Sequence, residues 1–150
     1  MQHLTRRQVL PLFGWAFAIV ALLRPSLAGA QAQGVLEEFL GGKSPQNGRI
    51  EFDIPFTADN ANSVPIGIRV DSPMTSDSFC REILVFAEKN PRPKVCSFTF
   101  EPGLSVPHLS TRIRLAESQN VAVFAKMNDG SIFVARKSVT VTTGACAPGG

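Results

Sequence analysis

Apolar stretches alternate with polar turn clusters along residues 49–141, and this pattern predicts seven short β-strands. The expected strands are Ile50–Ile54, Val64–Asp71, Phe79–Ala87, Val95–Phe100, Leu109–Leu115, Asn120–Met127 and Ser131–Val141. Clusters of Pro, Gly, Asn and Asp separate them, and the Asp129-Gly130 pair is a strong hairpin signal. Short strands at this spacing predict an all-β fold, a seven-stranded antiparallel sandwich of the immunoglobulin-like type.

Residues 31–48 precede the predicted sandwich and are expected to form a short N-terminal helix and a linker. The segment Val35–Leu40 has helical spacing of its apolar residues and is followed by Gly41-Gly42. Glycine directly after a short apolar run is a usual helix stop signal.

Several predicted strands are apolar on both faces, which is unusual for a sandwich whose outer faces meet water. The segments Ile83–Ala87, Val121–Ala125 and Ile132–Ala135 show no alternation of apolar and polar residues. One outer sheet face is therefore expected to be covered. A protein partner is the favoured cover, because large exposed apolar patches are rare. The alternative is that the N-terminal helix and loops lie over these strands.

Residues 1–30 have the three regions of a secretory signal. Arg6-Arg7 precedes an apolar stretch, Phe13–Leu23, and Ala28-Gly29-Ala30 forms a small-residue cleavage site. The arginine pair predicts export by the twin-arginine route to the periplasm, with a mature chain that begins at Gln31 and has no membrane attachment. An uncleaved anchor is the alternative, although the apolar stretch is well short of the roughly 20 residues that a membrane span needs.

Removal of the signal changes the charge. The full chain has fifteen basic and twelve acidic residues, and Arg6, Arg7 and Arg24 leave with the signal. The mature balance is therefore neutral, no basic stripe remains, and no nucleic-acid partner is expected.

The residue types that carry metal, cofactor or catalytic chemistry are sparse. His108 is the only histidine after the predicted cleavage, and the cysteines at 80, 96 and 146 show no ligand-like spacing. We therefore expect no metal, no cofactor and no catalytic residue. A Cys146–His108 pair is an alternative, but a thiol on a glycine-rich tail would not be held for attack.

Cys80 and Cys96 flank a predicted hairpin, and two outcomes are open for them. They could form a disulfide in an oxidising compartment, although the inferred register does not set them opposite each other. The alternative is a pair of buried free thiols.

The C-terminal segment, residues 142–150, is predicted to be a flexible arm carrying Cys146. Its other members beyond the two threonines are Gly144, Ala145, Ala147, Pro148, Gly149 and Gly150. Small residues bury little surface and cannot pack a core. The thiol has no basic neighbour in sequence, so its pKa is expected near the ordinary ~8.5. These features suit a passive attachment point, or else a frayed tail whose cysteine is incidental.

Five segments of the chain together carry a family resemblance: Val64-Pro65-Ile66, Val70–Thr75, Ile83–Pro91, Ser110–Ala116 and Ser118–Val121. They resemble the SoxY family, the sulfur-carrier subunit of the bacterial Sox thiosulfate-oxidising system. The leader and the terminal cysteine match the family as well. The resemblance covers nearly all of residues 31–150.

The resemblance implies a carrier that catalyses nothing itself. It implies a heterodimer or heterotetramer with a SoxZ-like subunit, and transient docking to SoxXA, SoxB and possibly SoxCD. Cys146 would be the covalent attachment site: SoxXA would join thiosulfate to it, SoxB would release sulfate, and SoxCD would oxidise the remaining sulfur.

One departure and one rival function stand beside this interpretation. The family ends in Gly-Gly-Cys-Gly-Gly, whereas this chain has Ala145 and Ala147 beside the cysteine and Pro148 after it. The chain is therefore either a Sox carrier or a divergent paralogue that serves another sulfur enzyme. The rival is a structural or adhesive sandwich domain whose terminal cysteine forms an intermolecular disulfide.

Overall fold

The computed structural model describes residues 27–103 and 106–142, which form one helix and nine strands. The helix is α1, Leu27–Leu40. The strands are β1, Gln46–Asn47; β2, Ile50–Asp53; β3, Thr57–Ala58; β4, Val64–Val70; β5, Cys80–Ala87; β6, Lys94–Thr99; β7, His108–Ile113; β8, Gln119–Met127; and β9, Ile132–Val141.

The strands form two sheets packed face to face. The larger sheet has the order β1-β9-β8-β5-β6, with β3 also paired to β9, and the smaller sheet has the order β2-β4-β7. Pairing among the seven longer strands is antiparallel. The predicted immunoglobulin-like sandwich is therefore confirmed.

All seven predicted strands are present, with ends that differ by two residues or fewer from the expected ones. The two strands that the sequence pattern missed, β1 and β3, have two residues each and run parallel to β9. Two residues cannot display a period of two. Such strands exist because β9 offers unpaired backbone groups to a passing segment.

The core between the sheets follows from strict alternation in β4. Four side chains of this strand point inward and are buried: Val64, Ile66, Ile68 and Val70. They meet apolar side chains of the larger sheet, among them Ile83, Val85, Val121, Val123 and Val139. Each such aliphatic side chain contributes about 1.5–3 kcal/mol on burial, so this layer dominates the stability of the sandwich.

Helix α1 covers the outer face of the larger sheet. Phe39 of the helix packs on Phe124 of β8, with ring centroids 6.1 Å apart, and Phe124 meets Phe86 of β5 edge to face. This second cluster also contains Ala32, Leu84, Ala122, Ile132 and Val134. The two-faced apolar strands are thus explained by the chain's own helix. The expectation that a partner covers this face is not what the structure shows.

The helix begins eight residues earlier than Val35, where the sequence pattern places its start, and so it crosses the predicted cleavage point after Ala30. Ala32 and Phe39 follow that point, so the contacts that dock the helix belong to the predicted mature chain. Nowhere in residues 27–103 and 106–142 does a helix combine the length and apolarity needed to cross a membrane.

The predicted stop signal ends the helix. Gly41 and Gly42 have φ angles of 55° and 79°, in the left-handed region that glycine adopts without a steric cost. The amide of Gly41 donates to the carbonyl of Glu37, and the amide of Lys43 donates to that of Leu40. These bonds satisfy carbonyl groups that the last turn would otherwise leave without a partner.

Candidate functional site at the C-terminal exit

The last described residues of the chain, Val141 and Thr142, are hydrogen-bonded to two different segments of the sandwich. The amide of Val141 donates to Oγ of Ser118 at 2.9 Å, and the amide of Thr142 donates to the carbonyl of Ala58 at 3.1 Å. We call Val141, Thr142 and the residues that bind them (Ala58, Asp59 and Ser118) the C-terminal exit. It fixes the position of Thr142, the last described residue, from which the chain continues towards Cys146.

The side chain of Thr142 makes a hydrogen bond in addition to the backbone hydrogen bonds between the strands. Its Oγ1 donates to Oδ1 of Asp59 at 2.9 Å, a distance typical of a good hydrogen bond to a carboxylate. Cys146 lies four residues further along the chain. Its Cα can therefore lie at most about 14 Å from that of Thr142, because an extended residue spans 3.3–3.6 Å.

A buried pair of amide side chains organises the loops beside the C-terminal exit. Nε2 of Gln119 donates to Oδ1 of Asn90 at 2.9 Å. The same Oδ1 accepts the amide of Ala116, and Nδ2 of Asn90 donates to the carbonyl of Arg114 at 2.8 Å. Asn90 therefore joins the β5–β6 loop to the β7–β8 loop.

Gln119 extends this network towards the exit. Its Oε1 accepts the amide of Lys89 at 2.9 Å, and its backbone lies opposite Val139 of β9. No buried side-chain nitrogen or oxygen lacks a partner in the part of the chain that the structure describes. A fully satisfied polar network in a low-dielectric interior rigidifies what it connects.

An exposed ion pair lies over the same loops. Nζ of Lys89 is 3.1 Å from Oε1 of Glu117 and donates to the carbonyl of Ser118 at 3.2 Å. Because both side chains are more than half exposed, the pair contributes little to stability, about 1 kcal/mol or less. The buried amides, not this pair, hold the loops.

The structure does not reach the predicted attachment site. Cys146 lies outside the described residues, as do Gly144, Ala145, Ala147, Pro148, Gly149 and Gly150. The structure defines the position of Thr142, the residue that precedes this segment.

His108, the alternative partner for Cys146, lies at the start of β7, opposite Arg69 of β4. The other end of β7 leads into the loop that binds Asn90. Ile113 lies five positions further along the strand than His108, a distance of about 17 Å. The histidine thus lies at the far end of the strand from the loops around the C-terminal exit, and the structure lends no support to a Cys146–His108 dyad.

Cys80 and Cys96 are free thiols. In the observed register Cys96 lies opposite Val85, whereas Cys80 lies opposite Met127 on the other side of β5, so the two are not cross-strand neighbours. Burial raises the pKa of Cys80 to about 11, and a backbone hydrogen bond with Glu82 partly offsets this rise. Burial also raises the pKa of Cys96. Of the two open outcomes, the structure shows the free thiols.

No three His, Cys, Asp or Glu side chains within residues 27–103 and 106–142 are grouped so that they could hold a metal ion. In the described residues the site consists of hydrogen-bonded loops, and the carboxylate of Asp59 lies at its edge.

Asn90 and Asp59 lie in the polar clusters between predicted strands, and the sequence pattern does not indicate their contacts. It also missed the pairing of Gln119 with Asn90, because these residues are 29 positions apart. One signal was available. Two of the segments that resemble SoxY, Ile83–Pro91 and Ser118–Val121, contain the members of the amide pair.

Fold and site together define an immunoglobulin-like sandwich protein whose C-terminal segment leaves from an ordered cluster of loops. A family model described as "Sulfur oxidation protein SoxY" matches residues 36–146. The chain therefore belongs to the SoxY family. A comparison with curated proteins found no match.

A solved SoxY structure agrees with this assignment, and other solved structures share the fold. The sulfur carrier protein SoxY from Chlorobium limicola f. thiosulfatophilum is 25% identical, with a TM-score of 0.63, and the alignment covers 76% of this chain and 98% of that one. A superoxide reductase (neelaredoxin) from Ignicoccus hospitalis is 19% identical, with a TM-score of 0.57 and coverage of 63% and 81%. At that identity the second likeness concerns the fold alone.

Proposed function

We propose that the chain is a sulfur carrier that holds sulfur intermediates covalently on Cys146. The observation that carries the proposal is the extent of the family match, which runs from α1 to residue 146 and so includes the terminal cysteine. The similar protein from Chlorobium limicola is itself described as a sulfur carrier.

The chemistry would proceed on the thiol while other proteins act on it. The thiolate and the outer sulfur of thiosulfate form an S–S bond, giving Cys–S–S–SO₃⁻, and two electrons pass to an oxidising enzyme of the SoxXA kind. Water then attacks the sulfone group, as in the SoxB reaction. Sulfate and two protons leave, and the persulfide Cys–S–S⁻ remains. Its sulfur is passed on or oxidised, the latter in the SoxCD reaction.

In such a cycle this chain presents the thiol of Cys146 to the docking enzymes. Thr142 is bound to Ala58 and Asp59, and Val141 to Ser118, so the C-terminal segment starts from one defined point. From that point the Cys146 Cα lies within about 14 Å, which limits how far a docking enzyme must reach. A fixed root with a short reach raises the effective concentration of the thiol at a docked enzyme.

Export and partnership are further parts of the proposal. The Arg6-Arg7 leader supports export by the twin-arginine route to the periplasm, with cleavage after Ala30. A SoxZ-like subunit would form a heterodimer or heterotetramer with the mature chain, and SoxXA, SoxB and possibly SoxCD would dock transiently. The docked helix is compatible with cleavage, since Ala32 and Phe39 lie after the cut.

The test is mass spectrometry of the protein from cells grown on thiosulfate. We expect sulfur and thiosulfonate adducts on the C-terminal peptide, and none on the peptides with Cys80 and Cys96. Cys146→Ser should abolish the adducts and thiosulfate oxidation while leaving the fold intact, whereas Cys96→Ser is the matched control and should leave both unchanged.

Two results would overturn the carrier proposal. One is normal thiosulfate oxidation by the Cys146→Ser variant together with an absence of sulfur adducts on Cys146 in the unmodified protein. The other is a disulfide-linked dimer through Cys146 without adducts, which would instead support a structural or adhesive domain. Adducts on Cys146 in cells where thiosulfate oxidation does not depend on it would identify a divergent paralogue that serves another sulfur enzyme.

A further inference from the structure

One side of the sandwich is open. Among the described strands, β6 ends the larger sheet and pairs with β5 alone, and β7 ends the smaller sheet and pairs with β4 alone. Between these two edge strands lies a groove of about 380 Å³, which we call the β6–β7 groove. On the opposite side of the sandwich, β2 and β9 contact each other.

The β6–β7 groove is basic. Four cationic residues are among those that line it, Arg92, Lys94, Arg112 and Arg114, and its described lining includes no Asp or Glu. Among the described residues the one salt bridge is Lys89–Glu117, so these four cations have no acidic partner within 4.0 Å. Arg112 makes only long contacts, 3.4 Å, to the carbonyl and hydroxyl of Ser63.

Apolar side chains complete the groove. Val95 and Phe98 of β6 are half-buried, and Ile113 of β7 is buried. Cations around an apolar floor suit an amphipathic occupant better than a small hydrated anion, because the floor gains free energy only by contact with apolar surface.

The outer edge of β6 supplies the second element of recognition. Within the described chain no strand pairs with this edge, so its backbone groups are available to an extended segment. Such pairing gives affinity through main-chain hydrogen bonds, while the side chains of the groove give specificity. A second copy of this chain would bring its own cations to the groove, and like charges would oppose that pairing.

The β6–β7 groove is continuous with the loops of the C-terminal exit. Asn90 lines one end of the groove, and its Nδ2 donates to the carbonyl of Arg114, which also lines it. The same asparagine is bound to Gln119, opposite Val139 near the end of β9. A partner in the groove would therefore lie beside the root of the C-terminal segment.

We infer that the β6–β7 groove binds an acidic extended segment of a partner protein, which adds to β6 as a further strand. The occupant has carboxylates on the side that faces the four cations and apolar residues on the side that faces Val95 and Phe98. The inference does not depend on the sulfur chemistry of Cys146, and it can fail or succeed independently of it.

The test uses the full chain and a soluble ten-residue probe peptide of alternating Glu and Val, with a Lys–Val peptide as its counterpart. We expect the Glu–Val peptide to bind and to protect the amides of residues 94–99 from hydrogen exchange, and the Lys–Val peptide not to bind. Affinity should fall as salt rises, because exposed charges are screened.

Charge variants give the decisive comparison. Arg112→Glu with Arg114→Glu should weaken binding by about tenfold or more, the equivalent of ~1.4 kcal/mol. Arg69→Glu with Lys137→Glu is the matched control: it changes the net charge equally in a different groove and should leave binding unchanged. If the first variant fails to fold, Arg92→Gln with Lys94→Gln, both at exposed positions, should still weaken binding.

Four outcomes would overturn the inference. The first is a lack of binding by the Glu–Val peptide. The second is binding that both charge-reversal variants retain equally, and the third is protection from exchange that maps away from β6. The fourth is displacement of the peptide by sulfate or thiosulfate at concentrations where sodium chloride of equal ionic strength has no effect, which would make the groove a site for small oxoanions.

Discussion

Nε2 of Gln119 lies 2.9 Å from Oδ1 of Asn90, and this buried hydrogen bond joins two loops that are 29 residues apart in the chain. Together with the bonds to Ala116 and Arg114, it makes Asn90 the residue on which the loops beside the C-terminal exit depend. Asn90 also lines the β6–β7 groove, so the two proposed functional regions share one structural support.

Replacement of Asn90 by alanine should destabilise the protein by about 2–4 kcal/mol. The substitution removes three hydrogen bonds and leaves Nε2 of Gln119, the amide of Ala116 and the carbonyl of Arg114 in need of new partners. The free energy of unfolding from urea titrations measures the effect. Asn120→Ala is the control, because Asn120 is exposed and its side chain has one described hydrogen bond, to exposed Glu88, so its change should stay within about 0.5 kcal/mol. Equal effects of the two variants would contradict a special role for Asn90.

Replacement of Phe39 by alanine should undock helix α1 from the larger sheet. Phe39 is 8% exposed and packs on Phe124, and truncation of a buried Phe costs about 3–5 kcal/mol. We expect faster amide exchange in residues 31–40 and increased binding of a hydrophobic dye to the uncovered face. Glu37→Ala, on the exposed side of the helix, should change neither. Unchanged dye binding in the Phe39 variant would show that the helix does not protect this face.

The three thiols should react with an alkylating reagent in a fixed order at pH 8. Cys146 should react first, since its sequence surroundings predict an ordinary pKa near ~8.5. Cys96 should be slower, because burial raises its pKa, and Cys80 should react only on unfolding. Peptide mapping after timed quenching gives the order. Early modification of Cys80 would be incompatible with its place in the core.

Cys80 should make stability fall at high pH. Its pKa rises from 9.0 to about 11 on folding, so the folded state favours the protonated thiol. The resulting contribution is present below pH ~9 and is lost as the pH rises from ~9 to ~11, up to about 2–3 kcal/mol. We expect the loss of unfolding free energy between pH 8.5 and 10.5 to be smaller in Cys80→Ala than in the unmodified chain. Parallel pH profiles for the two proteins would contradict this.

The residue pattern alone established most of the fold. The seven longer strands are visible because apolar runs of four to ten residues are separated by turn residues whose backbone preferences are local. The helix end at Gly41-Gly42 and the hairpin at Asp129-Gly130 were predictable for the same reason: Gly41, Gly42 and Gly130 all have positive φ angles.

For the proposed site, one part could be predicted from the sequence and the other could not. Cys146 could be singled out from sequence, because a thiol among small residues is a local feature, and it remains a prediction since it lies outside the described residues. The contacts that define the C-terminal exit could not be foreseen. The bond from Thr142 to Asp59 joins residues 83 positions apart, and nothing near either residue indicates the other.

Only the tertiary structure decided what covers the apolar face of the larger sheet. A strand such as Ile83–Ala87 has the same two-faced pattern whether a partner or the chain's own helix lies over it, because the hydrophobic effect is non-directional. The placement of Phe39 on Phe124 settles the matter in favour of the helix. Two other features also depend on contacts between segments that are distant in sequence: the pairing of Asn90 with Gln119 and the basic groove between β6 and β7. The local residue pattern does not indicate such contacts.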